Sequence, residues 1–138
     1  IKEESENSCS ILDLDLGVIL TGLKQLEVLK VSMVTGEDLR HISRLCPNLR
    51  YFFLEYGGCQ NVNGLLLLLR CCQKLETLTI LGWSIDKPDL IRDICHFNKS
   101  LTSLNLRAPH PRCCEWSLSE IESVAKEASD GRLKITWK

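Results

Sequence analysis

Apolar residues recur along this chain in a fixed phrase: Leu26-x-x-Leu29-x-Val31, Leu49-x-x-Phe52-x-Leu54, Leu75-x-x-Leu78-x-Ile80 and Leu101-x-x-Leu104-x-Leu106. The phrases start 23, 26 and 26 residues apart. Within each, the last two apolar positions alternate with other residues, as in a strand with one face in and one face out. Further along each unit the period lengthens to that of a helix. Leu39, Ile42 and Leu45 recur at three-residue steps, then Leu65, Leu68 and Cys71, then Ile91, Ile94 and Phe97, and each set ends four residues before the next leading leucine. The pattern therefore predicts strand, loop, helix and return turn, repeated.

The helix starts carry caps. Thr35 followed by Asp38, and Asp86 with Pro88 just inside the helix, offer oxygen acceptors to the orphan amides of a first turn. Ser117 and Glu120 form a capping box, with Trp116 and Ile121 in the positions of a hydrophobic staple. The inward face of that last helix is expected to be Leu118, Ile121, Val124, Ala125 and Ala128, ending at Gly131. A final strand follows, Leu133-Lys134-Ile135-Thr136-Trp137. Upstream of the first phrase, Leu16, Ile19, Leu20 and Leu23 lie at helical spacing, as in a unit whose strand precedes it. The N-terminal side is thus expected to continue in a longer protein or to be covered by the early polar segment.

A period near 26 with this phrase marks leucine-rich repeats, each coil burying its apolar face only against its neighbours. The fold class is α/β: a leucine-rich repeat solenoid, a right-handed βα superhelix with parallel strands on the concave face and helices on the convex one. Residues 1–11 form a polar segment and 12–138 the repeat domain. It comprises a partial repeat at 12–25, repeats starting at 26, 49, 75 and 101, and the terminal strand 133–137.

Charge narrows the range of partners. With 17 basic and 18 acidic side chains in 138 residues, the formal charge of -1 supplies no general field for nucleic acid or anionic lipid. The longest apolar run, from Leu65 to Leu69, stops at Arg70, far short of a membrane span, and IKEESENSCS is unlike a signal peptide. The eight cysteines are not spaced as a disulfide framework. Cys46 and Cys72 each stand three residues before a leading leucine, and Asn98 takes that place in the next unit. A cysteine in such register reads as a small buried hydrophobe under a helix end, which implies reduced thiols and a cytoplasmic or nuclear protein.

The segments Leu45-Cys46-Pro47-Asn48-Leu49-Arg50 and Cys71-Cys72-Gln73-Lys74-Leu75-Glu76-Thr77-Leu78 resemble the helix exits and strand starts of cysteine-containing leucine-rich repeats. They are similar to the C-terminal repeats of F-box/LRR proteins, the substrate receptors of Skp-cullin-F-box ubiquitin ligases. Asn98-Lys99-Ser100-Leu101 departs from that pattern in lacking the cysteine. The resemblance implies a protein-protein interaction module, the substrate-recognition portion of such a receptor. Skp adaptor and cullin would bind only through an F-box outside this chain. The alternative is a ligand-sensing or scaffolding segment of an intracellular, immune-type receptor unrelated to ubiquitin.

If the first, fourth and sixth positions of each phrase face the core, the third, fifth and seventh line the concave sheet. In columns these are Val28, Tyr51, Thr77 and Ser103; Lys30, Phe53, Thr79 and Asn105; and Ser32, Glu55, Leu81 and Arg107. The candidate partner-binding residues are Tyr51, Phe53, Glu55, Thr79, Asn105 and Arg107, with the two aromatics as anchors because large rigid rings carry much interface energy. Cross-strand packing is the competing reading of that pair. A possible second surface is Leu66, Leu67 and Leu69, since successive helical residues turn by about 100° and five consecutive leucines cannot all point inward.

No catalytic, metal or cofactor site is expected. The loop from Arg107 to Trp116 sets His110 near Cys113 and Cys114, but adjacent cysteines lack the gap of a zinc site. A proline-stiffened rim or an ordinary loop fits it better. A cysteine nucleophile needs a held histidine base, and His41 and His96 fall on outward helical positions. Gly57-Gly58 reads as a turn after a strand rather than a phosphate loop.

Overall fold

The computed structural model describes residues 3–5, 8–9, 23–32, 36–55, 62–81, 88–107 and 117–138. A short antiparallel pair, β1 (Glu3–Ser5) and β2 (Ser8–Cys9), precedes the main body. There strands alternate with helices: β3 (Val28–Ser32), α1 (Gly36–Leu45), β4 (Tyr51–Glu55), α2 (Val62–Cys71), β5 (Thr77–Leu81), α3 (Pro88–Phe97), β6 (Ser103–Leu106), α4 (Leu118–Ala128) and β7 (Lys134–Trp137). β3 to β7 form one five-stranded sheet in chain order, every pair parallel. β2 runs beside β3 without joining that ladder.

Each strand forms on one of the leucine phrases, and its alternation sets the two layers. Leu29, Val31, Phe52, Leu54, Leu78, Ile80, Leu104 and Leu106 are all buried in one cluster with Leu39, Ile42, Leu65, Leu68, Ile91, Ile94, Ile121 and Ala125 from the helices. The helices therefore cover one face of the sheet, and each helix packs beside the next. A fully buried aliphatic side chain contributes about 1.5 to 3 kcal/mol relative to an exposed one, so this contiguous core dominates stability.

The return turns are joined from each strand-helix unit to the next. Arg50 and Tyr51 amides both donate to Glu27 O, those of Glu76 and Thr77 to Arg50 O, and those of Thr102 and Ser103 to Glu76 O. Beneath the helix ends runs a second series. Cys46, Cys72 and Asn98 are completely buried. The Cys72 thiol donates to Cys46 O at 3.2 Å, and the Asn98 side-chain amide donates to Leu69 O at 2.8 Å and Cys72 O at 2.9 Å. Asn98 Oδ1 accepts from the Ser100 and Leu101 amides at 3.0 and 2.9 Å. The asparagine that breaks the cysteine pattern thus strengthens the same junction.

Several expectations need correction. Cys71, placed on the inward stripe of α2, is exposed, and Leu69 is fully buried in its stead. With Gly64, Leu65, Leu68 and Leu69 buried, the inward stripe of α2 runs through Leu69 rather than Cys71. On α4 Ile121 and Ala125 are buried, whereas Leu118 and Ala128, at its two ends, are exposed. α4 touches α3 on its flank and β7 below, and those end residues fall outside that stripe. Ser117 does cap α4, accepting from the Glu120 amide at 3.2 Å. Gly131 follows it with φ of 81°, a conformation that glycine adopts without strain, and its amide closes back on Lys126 O at 2.8 Å. β7 pairs Leu104 with Ile135 and Leu106 with Trp137, so Ile135 and Trp137 pack on the core beside the buried Leu133, as the alternation of the expected final strand gives. The caps Thr35 and Asp86, the staple residue Trp116, nearly all of the early helical pattern up to Leu23, Gly57-Gly58 and the loop bearing His110, Cys113 and Cys114 lie outside the described residues.

Candidate functional site

Among the described residues, no helix packs on the sheet face opposite α1 to α4. Its register aligns Val28, Tyr51, Thr77 and Ser103 in one row, and Lys30, Phe53, Thr79, Asn105 and Thr136 in the next. Tyr51 is 40% exposed, the largest value among the exposed big apolar side chains, and Phe53, two residues on, is half-buried. β4 thus brings both rings to one side of the sheet, because residues two apart on a strand share a face.

Charged neighbours hold each ring. The Arg50 guanidinium lies 5.4 Å from the Tyr51 ring centroid, and Lys30 Nζ 5.1 Å from that of Phe53. Both distances fall within the range of cation-π attraction. Arg50 in turn donates from Nε to Glu76 Oε2 at 2.7 Å and lies 3.7 Å from Glu27, while Lys30 lies 3.7 Å from Glu55. The Arg50 hydrogen bond pulls the Glu76 carboxyl below its ordinary range, and the Tyr51 hydroxyl adds a smaller pull in the same direction. The same pair raises the Arg50 pKa. Exposed pairs of this kind add little stability individually. Their consequence here is orientation, since side chains from three strands fix the rings before anything binds.

The other candidate residues divide. Glu55 is exposed beside Lys30, and Arg107 is exposed at the end of β6. Asn105 donates to Thr79 Oγ1 at 2.9 Å, and Thr79, between Phe53 and Asn105 in its row, is only 5% exposed. Thr79 therefore supports its neighbours and offers no free surface, which corrects its placement among contact residues. In the proposed second surface Leu69 belongs to the core, whereas Leu66 and Leu67 are half-buried and Leu66 packs against that core. These three do not form one exposed patch. Phrase-by-phrase reading missed Glu27, Arg50 and Glu76. Their signal was present in the second position of consecutive phrases, which alternates acid, base, acid.

The remaining chemistry is muted. Burial pushes the Cys72 thiol up to about 12, with Cys46 and Cys71 adding to the shift, and burial also raises Cys95. Both stay protonated near neutrality and are poor nucleophiles. Among the described residues no cluster of histidine, cysteine and carboxylates could hold a metal ion. Between α3 and α4 an open depression of about 470 Å3 is bordered by Arg92, Asp93, His96, Lys99 and Glu127, charges of both signs with no dominant one. No helix among the described residues is long and apolar enough to cross a membrane. No family model, curated protein or solved structure matches this chain.

Proposed function

We propose that the chain is a leucine-rich repeat solenoid whose concave sheet binds another protein, and that it is the substrate-recognition portion of a Skp-cullin-F-box ubiquitin ligase receptor. The observation that carries the binding role is the pair Tyr51 and Phe53, on the open face and each held by a cation that is itself anchored to a carboxylate. Rings oriented before binding lose little conformational freedom on contact, which is what an interface anchor requires. The ubiquitin-ligase role rests on the cysteine-bearing turns around Cys46 and Cys72, now supported by the burial of both side chains beneath the helix ends. On this reading the segment carries no chemistry of its own; ligation belongs to other subunits. Cys71, Cys72 and Cys95 carry thiols outside any disulfide, which fits a reducing compartment, cytoplasm or nucleus.

The test is affinity purification of the full-length protein, wild type and Tyr51→Ala/Phe53→Ala, with mass spectrometry of what co-purifies. Skp adaptor and cullin should accompany both forms, and a further protein should be lost from the double variant alone. Reproducible absence of adaptor and cullin removes the ubiquitin-ligase role. Full retention of every partner by the double variant removes the open face.

A further inference from the structure

The cations beside Tyr51 and Phe53 are already matched. Lys30 lies over the Phe53 ring and 3.7 Å from Glu55, while Arg50 lies over the Tyr51 ring, bonded to Glu76 and 3.7 Å from Glu27. Two cations thus face three carboxylates about the two rings. The segments that follow β3 and β4, residues 33–35 and 56–61, contain no charged side chain and add nothing to this count. From β4 toward β7 the two rows continue without charge. Tyr51 is followed by Thr77 and Ser103, and Phe53 by Thr79, Asn105 and Thr136, so that Lys134, beyond Ser103 on β7, is the first charged position reached.

We propose that this face selects an extended peptide segment anchored by a large uncharged apolar residue on Tyr51 and Phe53, and that Lys30 and Arg50 set that selectivity. This rests on the reading of the open face as a protein-binding surface and gives its ligand a chemistry. A cation in the ligand would seek the ring faces, within about 6 Å of a centroid, where Lys30 and Arg50 already stand. To sit there it must displace one of them from both ring and carboxylate, or accept a like charge beside it. An anion fares no better, because the acids about the rings outnumber the bases. An apolar side chain meets neither obstacle and covers the rings. Neighbouring strands lie about 4.8 Å apart, so β6 stands about 10 Å from β4, which an extended chain rising about 3.3 Å per residue crosses in about three residues. Those residues meet Thr77, Ser103 and Asn105, which offer hydrogen bonds and no charge. The recognised pattern is one large apolar residue flanked on one side by about three uncharged ones.

The test is panning of a random dodecapeptide phage library on the purified chain, followed by fluorescence anisotropy with synthetic fluorescein-labelled copies of enriched peptides. Enrichment of the apolar, charge-free pattern is expected. Affinity should fall about tenfold or more in Tyr51→Ala/Phe53→Ala, yet change less than about twofold between about 50 and about 500 mM NaCl. Replacing the apolar anchor of the peptide with lysine should weaken binding to the wild type about tenfold. Lys30→Gln/Arg50→Gln frees both rings and leaves Glu27, Glu55 and Glu76 unmatched, so it should bring the lysine-anchored peptide within about twofold of the apolar one. Lys30→Gln alone, expected to recover about half that loss on a logarithmic scale, serves if the double variant perturbs the circular dichroism spectrum. Tyr51-dependent peptides anchored by a charged residue, a tenfold loss of affinity in salt, or no recovery of the lysine-anchored peptide overturn this proposal and leave the binding face intact. Enriched peptides indifferent to Tyr51→Ala/Phe53→Ala, or no enrichment at all, overturn both. Concentration-dependent self-association of the wild type, lost in Tyr51→Ala/Phe53→Ala, assigns the rings to a second copy and overturns the peptide.

Discussion

Asn98 is the position at which the junction between successive strand-helix units can be weighed. Replacing it with alanine removes the acceptor of the Leu101 amide, held at 2.9 Å, and Leu101 is 1% exposed, so water does not take its place. A buried amide left unsatisfied costs about 1 to 3 kcal/mol. Leu69 O and Cys72 O lose one donor each but keep Gln73 Nε2 at 3.0 Å and the Leu75 amide at 3.3 Å. Those two losses are therefore ordinary hydrogen bonds, about 1 kcal/mol apiece. The Asn98→Ala variant should lose about 4 kcal/mol, a large share of the 5 to 15 typical of a domain. In urea unfolding followed by far-ultraviolet circular dichroism, with a slope near 2 kcal/mol per molar, the midpoint drops by about 2 M. Asn98→Cys, which restores the residue found at Cys46 and Cys72, keeps one weak donor and should fall between alanine and wild type. Asn98→Asp keeps the acceptor but aims a carboxylate at two carbonyls, and should be no better than alanine. An alanine variant within 1 kcal/mol of wild type, or an aspartate variant matching wild type, would refute the reasoning.

Three further outcomes follow from burial. Leu69→Ala should cost about 3 kcal/mol, as a fully buried leucine does, and Leu66→Ala about 1, both read by urea unfolding; equal costs would contradict the assignment of the inward face of α2. Cys72 has its folded pKa raised from 9.0 to about 12, so its contribution is fully present below pH 9 and is lost as pH rises toward 12. Stability should decline above pH 9 by up to about 1.4 kcal/mol per pH unit, a slope reduced in Cys72→Ala. Iodoacetamide at pH 8 should label the exposed Cys71 and spare its neighbour Cys72 in peptide mass spectra; equal labelling would show that the turn opens.

How much of this was legible in the sequence depended on the range of the interaction. The strands were legible, because a Leu-x-x-Leu-x-Leu phrase cannot bury its apolar positions on both faces and so fixes which residues point outward. The rows of the open face were legible too, since a near-constant period brings Tyr51, Thr77 and Ser103 into register. What the period does not carry is the state of a residue within its row. Thr79 sits at an outward position yet is buried, between Phe53 and Asn105 in its row and accepting a hydrogen bond from Asn105. Arg50 is a surface residue by type and becomes a brace for Tyr51 only because Glu27 and Glu76 flank it. The α2 stripe was misjudged for a similar reason: a run of leucines has no polar side to orient it, so packing against the adjacent strands and helices decides that Leu69 and not Cys71 turns inward. A repeat therefore tells where a side chain stands, while its neighbours on the adjacent strands and helices decide what it does. Asn98 is the clearest instance. By period it is a lost cysteine; by two hydrogen bonds to Leu69 and Cys72 and three to Ser100 and Leu101 it ties its own turn to the unit before it. The departures from the phrase, rather than the phrase itself, are where one strand-helix unit of this chain differs from the next.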